Sequence, residues 1–117
     1  MKFGIASAAT CLILAAVSQE AAAAGRNCPA PGTERSTNSS TKVVLHFANS
    51  SNRAAKLYWL DYQGVRQFYK ELKPGQDYKQ PSYMTHPWIA VDPKGDCIDG
   101  VMKAHQPGEN VMEFFGD

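Results

Sequence analysis

Clustered charge of one sign is missing from this chain. Its 12 Lys and Arg stand against 11 Asp and Glu, leaving a formal net charge of +1. Scattered basic residues argue against a nucleic-acid partner, whose phosphates demand grouped cations. Arg66, Lys70, Lys73 and Lys79 alternate with Glu71 and Asp77, the pattern of a solvated sheet face. Histidine is sparse as well: His46, His86 and His105 fall on separate segments without short ligand spacing, so no metal site is expected, and no cofactor. Beyond the first residues there is no helical pattern, no internal repeat and no coiled-coil heptad, and no apolar run approaches the roughly 20 residues of a membrane helix. GxSxG and comparable nucleophile elbows are absent, which leaves a serine hydrolase without its usual context.

Cysteine is scarce, with 3 in 117 residues. The first of them falls in a segment built like a secretory signal: Lys2, then the apolar stretch Phe3 to Val17, then Ala22-Ala23-Ala24 before Gly25. The alternative, a retained membrane helix, meets Gln19 and Glu20 too early. Residues 1–24 are therefore expected to be a signal peptide, and the protein to be secreted or periplasmic, with no membrane contact after cleavage. Removal takes Cys11 and leaves Cys28 and Cys97, an even count that an oxidising compartment would pair. That bridge would close a loop of about 70 residues and constrain the unfolded chain by roughly 4 kcal/mol. The remainder, about 90 residues, suffices for one small domain.

What is present reads as strands. Residues 25–34 form an extended lead-in, and the Pro, Gly, Ser, Thr and Asn of the stretch from Pro29 to Thr41 keep it irregular. The domain proper is expected over residues 35–117. Val43, Leu45 and Phe47 alternate with Val44, His46 and Ala48 as in a half-buried strand. Lys56 to Tyr62 and Val65 to Leu72 follow around a Gln63-Gly64 turn, then Trp88 to Asp92, Cys97 to Lys103 and Val111 to Phe115. Turns at Pro74-Gly75, Pro93-Lys94-Gly95 and Gln106-Pro107-Gly108 separate them. The pattern predicts an all-β sandwich of about seven short, mainly antiparallel strands. Asn38 and Asn49 each open an Asn-Ser-Ser triplet, an acceptor for glycosylation in a eukaryotic secretory pathway.

The richest segment runs from Trp59 to Trp88, and within it PSYMTHPW gathers Ser82, His86 and Trp88. In an extended chain His86 and Trp88 project from one face and Pro87, Ile89 and Val91 from the other, so one face packs and the other presents. An imidazole and a hydroxyl beside aromatic walls suit a ligand that is apolar in bulk and carries one hydroxyl. Tyr69 shares its strand face with Gln67 and Glu71, opposite Phe68 and Leu72, and is expected to be exposed.

The run RSTNSSTKVVLHFANSS, then WLDYQG, Tyr69, LKPG and SYMTHPW resembles the β domain of the von Hippel-Lindau tumour suppressor family over roughly Arg35 to Phe115, in family order and similar spacing. The resemblance implies a sandwich that recognises hydroxyproline-containing peptides or proteins. It assigns the pocket walls to Trp59, Tyr69 and Trp88, and the hydrogen bonds to the ligand hydroxyl to Ser82 and His86. QDYKQP stands in place of the family's basic, histidine-containing stretch before Ser82, which points to a different peptide partner. The chain shows no counterpart of the helical segment that docks a ubiquitin-ligase adaptor, so no such adaptor is expected.

Two other readings use the same residues. The first is a structural or adhesion sandwich, with the aromatic residues as packing and an edge strand as the partner surface. The second is a small hydrolase built on Ser82 and His86 with Asp61 as orienting acid. Binding without chemistry is the expectation carried forward.

Overall fold

The computed structural model describes residues 25–116, so the expected signal peptide lies outside the described residues. Six strands form: β1 (Lys42–Asn49), β2 (Ala55–Leu60), β3 (Arg66–Leu72), β4 (Asp77–Tyr83), β5 (Trp88–Val91) and β6 (Gly108–Phe114). They make two three-stranded sheets, ordered β4-β1-β6 and β3-β2-β5. This is an all-β sandwich. Pairing is antiparallel except between β1 and β6, which run parallel.

Alternation along β1 sends Val43, Leu45 and Phe47 inward, where they meet Leu57, Leu72, Trp88, Met112 and Phe114 between the sheets. β5 departs from the expectation of one packing and one presenting face, for all four of its residues are buried. Trp88 and Ala90 enter the main core, while Ile89 and Val91 join Leu60 and Cys97 in a second cluster on the other side. Cys28 of the lead-in packs on that second cluster and is joined to Cys97 by a disulfide, with Cα atoms 5.0 Å apart.

Two strand assignments change. Cys97 to Lys103 contributes only the isolated bridges Val91↔Cys97 and Trp88↔Met102. Between them Asp99 (φ 63°) and Gly100 (φ 80°) turn left-handed, which no ladder accommodates. The Asp99 carboxylate accepts the backbone N–H groups of Phe115 and Gly116 at 2.7 and 3.1 Å, tying this turn to the end of β6. Conversely, β4 forms through a segment that its charges and Pro81 concealed. Met84 N–H bonds to the Thr41 carbonyl and Asn49 N–H to the Gln76 carbonyl. With the register of β1 and β4, these bonds direct the backbone of Tyr78, Gln80 and Ser82 toward β1, and that of Asp77, Lys79, Pro81 and Tyr83 toward the open edge. Pro81 thus removes no ladder hydrogen bond.

Asn49 fixes the corner between the sheets. Its side chain, 1% exposed, donates to the carbonyls of Arg53 and Leu72 at 2.8 and 2.9 Å and accepts from the N–H and hydroxyl of Ser51. A side chain so enclosed is out of reach of glycosylation in the folded protein, unlike the exposed Asn38. Replacing Asn49 by Ala removes the amide donor to both carbonyls, that of Arg53 retaining the Ser51 hydroxyl at 3.1 Å, and is expected to lower stability by roughly 1–3 kcal/mol in urea unfolding. Purified protein should show no alkylatable thiol at Cys28 or Cys97 before reduction, and the double Ser variant should lose roughly 2–5 kcal/mol of stability.

Candidate functional site

The five sequence-selected residues converge. Trp59, Tyr69, Ser82, His86 and Trp88 line one cleft of about 260 Å³, together with Tyr62, Pro81 and Tyr83. Trp59 in β2 and Trp88 in β5 are direct cross-strand partners, so both indoles face the space between the sheets. Trp88 is 2% exposed and forms the floor, its ring 5.4 Å from Phe47 of the core and 4.8 Å from Tyr69.

Tyr69 arrives by a route that simple alternation missed. Leu57 pairs with Lys70 and Tyr58 with Phe68, which leaves Tyr69 as the extra residue of a β-bulge. The bulge breaks the two-residue period. Tyr69 stays 43% exposed with its ring against Trp88. Glu71, expected on its face, instead lines a cleft on the far side of the sheet with Lys56, Tyr58 and Arg66. Phe68, expected opposite Tyr69 beside buried Leu72, is exposed and lies edge-on to Tyr58 at 5.8 Å.

The polar groups come from β4 and the turn after it. Ser82 Oγ accepts from Trp88 Nε1 at 3.1 Å, and its own O–H remains available to a ligand. His86 lies outside any strand, in a turn closed by its N–H on the Tyr83 carbonyl. Its ring is 5.4 Å from Trp59, 5.3 Å from Tyr83 and 5.5 Å from Tyr62. Only 6% of the residue is exposed. Burial holds the imidazole below its ordinary pKa, against a backbone hydrogen bond with Thr37 that favours the protonated form. The ring is therefore neutral near pH 7 and offers one donor and one acceptor.

Further residues complete the site. Ser36, buried, accepts from Trp59 Nε1 at 2.7 Å and donates to the Leu60 carbonyl at 2.7 Å, which fixes the indole. Tyr62 sits in the β2–β3 turn, where Gly64 has φ 79° and a side chain at that position would meet Gly32 Cα at 2.7 Å. Its placement just past β2 made it read as a strand residue, although the aromatic next to a Gln-Gly turn was the available signal. Asp61, the nominated orienting acid, accepts from the N–H groups of Gln63 and Val65 and from Gln67 Nε2, and so organises that turn. Among the described residues no hydrogen bond joins Ser82 to His86.

A family model of the VHL beta domain matches residues 34–104, a span that holds every residue lining this cleft. The chain belongs to the VHL β domain family. VHL β domains are substrate-recognition modules for hydroxyproline peptides and do not catalyse a reaction. Strand β6 and Cys28 lie outside the matched span.

The depressed pKa of His86 gives this VHL β domain an acid-side sensitivity. Stability from the neutral ring is complete above histidine's ordinary value of 6.5 and is lost as pH falls through the depressed folded-state value. Unfolding curves of the unmutated protein and His86→Gln between about pH 7 and pH 4 should therefore converge as pH falls, histidine's ordinary value lying inside that window. Curves offset equally at every pH would contradict this.

Proposed function

We propose that this protein binds extended hydroxyproline-containing peptides outside the cytoplasm, without chemistry of its own. The observation that carries the reading is the convergence of Trp59, Tyr69, Trp88, Ser82 and His86 on one small cleft. Aromatic walls suit the pyrrolidine ring, and a hydroxyl beside an imidazole suits its single oxygen. The open edge of β4 supports a peptide rather than a free small molecule, since the backbone groups of Tyr83 at the cleft, and of Lys79 and Asp77 farther along the strand, face away from β1. Pro81 offers no N–H there, and its carbonyl is already taken by Gln80 Nε2 at 2.8 Å. Pairing with a ligand strand is thereby interrupted next to Ser82, a departure consistent with a distinct peptide partner. The Cys28–Cys97 disulfide suits an oxidising compartment, and the apolar first residues supply a route to it. Hydroxyproline in such surroundings occurs in collagens and plant cell-wall glycoproteins.

The walls treat proline and hydroxyproline almost alike, so discrimination rests on Ser82 and His86. When proline enters, each of the two loses water without gaining a partner, at about 1–3 kcal/mol per group. Together this amounts to a preference of tens-fold to about ten-thousand-fold for hydroxyproline. In calorimetry, Ser82→Ala and His86→Ala should each weaken hydroxyproline binding and leave the weak proline affinity nearly unchanged. Trp88→Ala should reduce both. Equal affinity of the unmutated protein for the two peptides would remove hydroxyproline recognition.

A further inference from the structure

Tyr62 enters the cleft from the β2–β3 turn and brings a hydroxyl with it. Its ring is 43% exposed, yet it stands edge-on to Trp59 at 5.7 Å and to His86 at 5.5 Å. Its hydroxyl lies 3.3 Å from His86 Nε2. A phenol is a good donor, and the unprotonated nitrogen of an imidazole is a good acceptor. The favoured polarity is thus O–H of Tyr62 donating to Nε2. Among the described residues it is the one hydrogen bond to the His86 ring from another side chain, the ring's other partner being the Thr37 backbone, which favours a proton on the ring.

A neutral imidazole has two forms of similar energy, with the proton on either nitrogen, and only one matches a given arrangement of ligand atoms. If both are populated, a hydroxyl ligand must first select one. We propose that Tyr62 is a positioning residue for hydroxyl recognition: by donating to Nε2 it holds His86 in the Nδ1–H form, fixing where the ring gives and where it accepts a hydrogen bond. The inference rests on the hydroxyproline reading for its effect on binding, though not for its effect on the ring. The three tyrosines around the cleft differ in this respect. The Tyr69 ring is set against Trp88, and the Tyr83 side chain meets the imidazole through its ring, while its backbone carbonyl takes the His86 N–H. Tyr62 alone among them brings its hydroxyl to the imidazole.

The test pairs a spectrum with an affinity. In protein with nitrogen-15 histidine, the His86 ring of the unmutated chain should show the unprotonated signal at Nε2, and Tyr62→Phe should shift both ring nitrogens toward the average of the two forms. With short blocked peptides differing only in proline or hydroxyproline, Tyr62→Phe should lose roughly three- to tenfold in affinity for hydroxyproline, the range of one hydrogen bond, and nothing for proline. A parallel loss for both peptides would mean that Tyr62 is only wall, and would overturn the proposal. Unchanged ring nitrogens in Tyr62→Phe, or tighter hydroxyproline binding showing that the phenol competes with the ligand, would also overturn it. If the unmutated protein binds both peptides equally, the peptide reading is what fails, and the ring spectrum alone then decides the role of Tyr62.

Discussion

One hydrogen bond, from Trp88 Nε1 to Ser82 Oγ, joins the two sheets at the floor of the cleft. Trp88 belongs to the sheet of β2, β3 and β5, and Ser82 to the sheet of β4, β1 and β6. Indole nitrogen has only a donor to give, so the serine oxygen is held as acceptor and its proton is directed elsewhere. The same indole rests on Phe47, at the heart of the sandwich. Cleft floor and hydrophobic core are therefore one object. The width of the cleft follows from how the sheets pack, and a change that loosens the core also reshapes the site.

Legibility of the sequence followed the range of the interactions involved. Alternation in Val43, Leu45 and Phe47 was enough to orient β1, because burial on one face writes a period of two into the chain. The spacing of SYMTHPW was enough to single out Ser82, His86 and Trp88. Alternation gives Tyr69 the right exposure and the wrong geometry, since a bulge depends on what the partner strand does and leaves no mark in β3 itself. β4 was hidden by Pro81, which is harmless only because the strand is an edge, a fact of topology. The break at Asp99 and Gly100 rests on backbone angles that Asp and Gly permit but do not require. Tyr62 meets His86 across 24 positions of chain, and nothing local announces such a meeting.

Charge plays two roles of different weight. Lys79–Glu109, Lys103–Glu34 and Arg26–Asp96 are pairs at 3.2–3.7 Å whose cation is in each case exposed to solvent, and such pairs contribute little. Asp92 is otherwise, with a side chain 1% exposed and bonded to Arg53 at 2.7 Å. Burial alone would raise its pKa. The N–H groups of Asp96 and Lys94, with the Arg53 guanidinium, outweigh burial and hold the carboxylate below its usual range. Its share of stability is thus present above the ordinary carboxylate value and declines as pH falls. Acid therefore acts on a turn at one end of β5 through Asp92, and on the cleft at the other end through His86.

Since β1 lies between β4 and β6 in its sheet, one of its two neighbours exists only after residues 108–114 have been synthesised. A nascent chain can form the β2–β3 hairpin early, but one edge of β1 must wait beside its own apolar face. Long-range pairing of this kind folds slowly compared with local structure. The bond between Cys28 and Cys97 obeys the same order, joining the lead-in to a turn that emerges late. The second pairing of β1 and the closure of the disulfide are thus among the last contacts this domain can make.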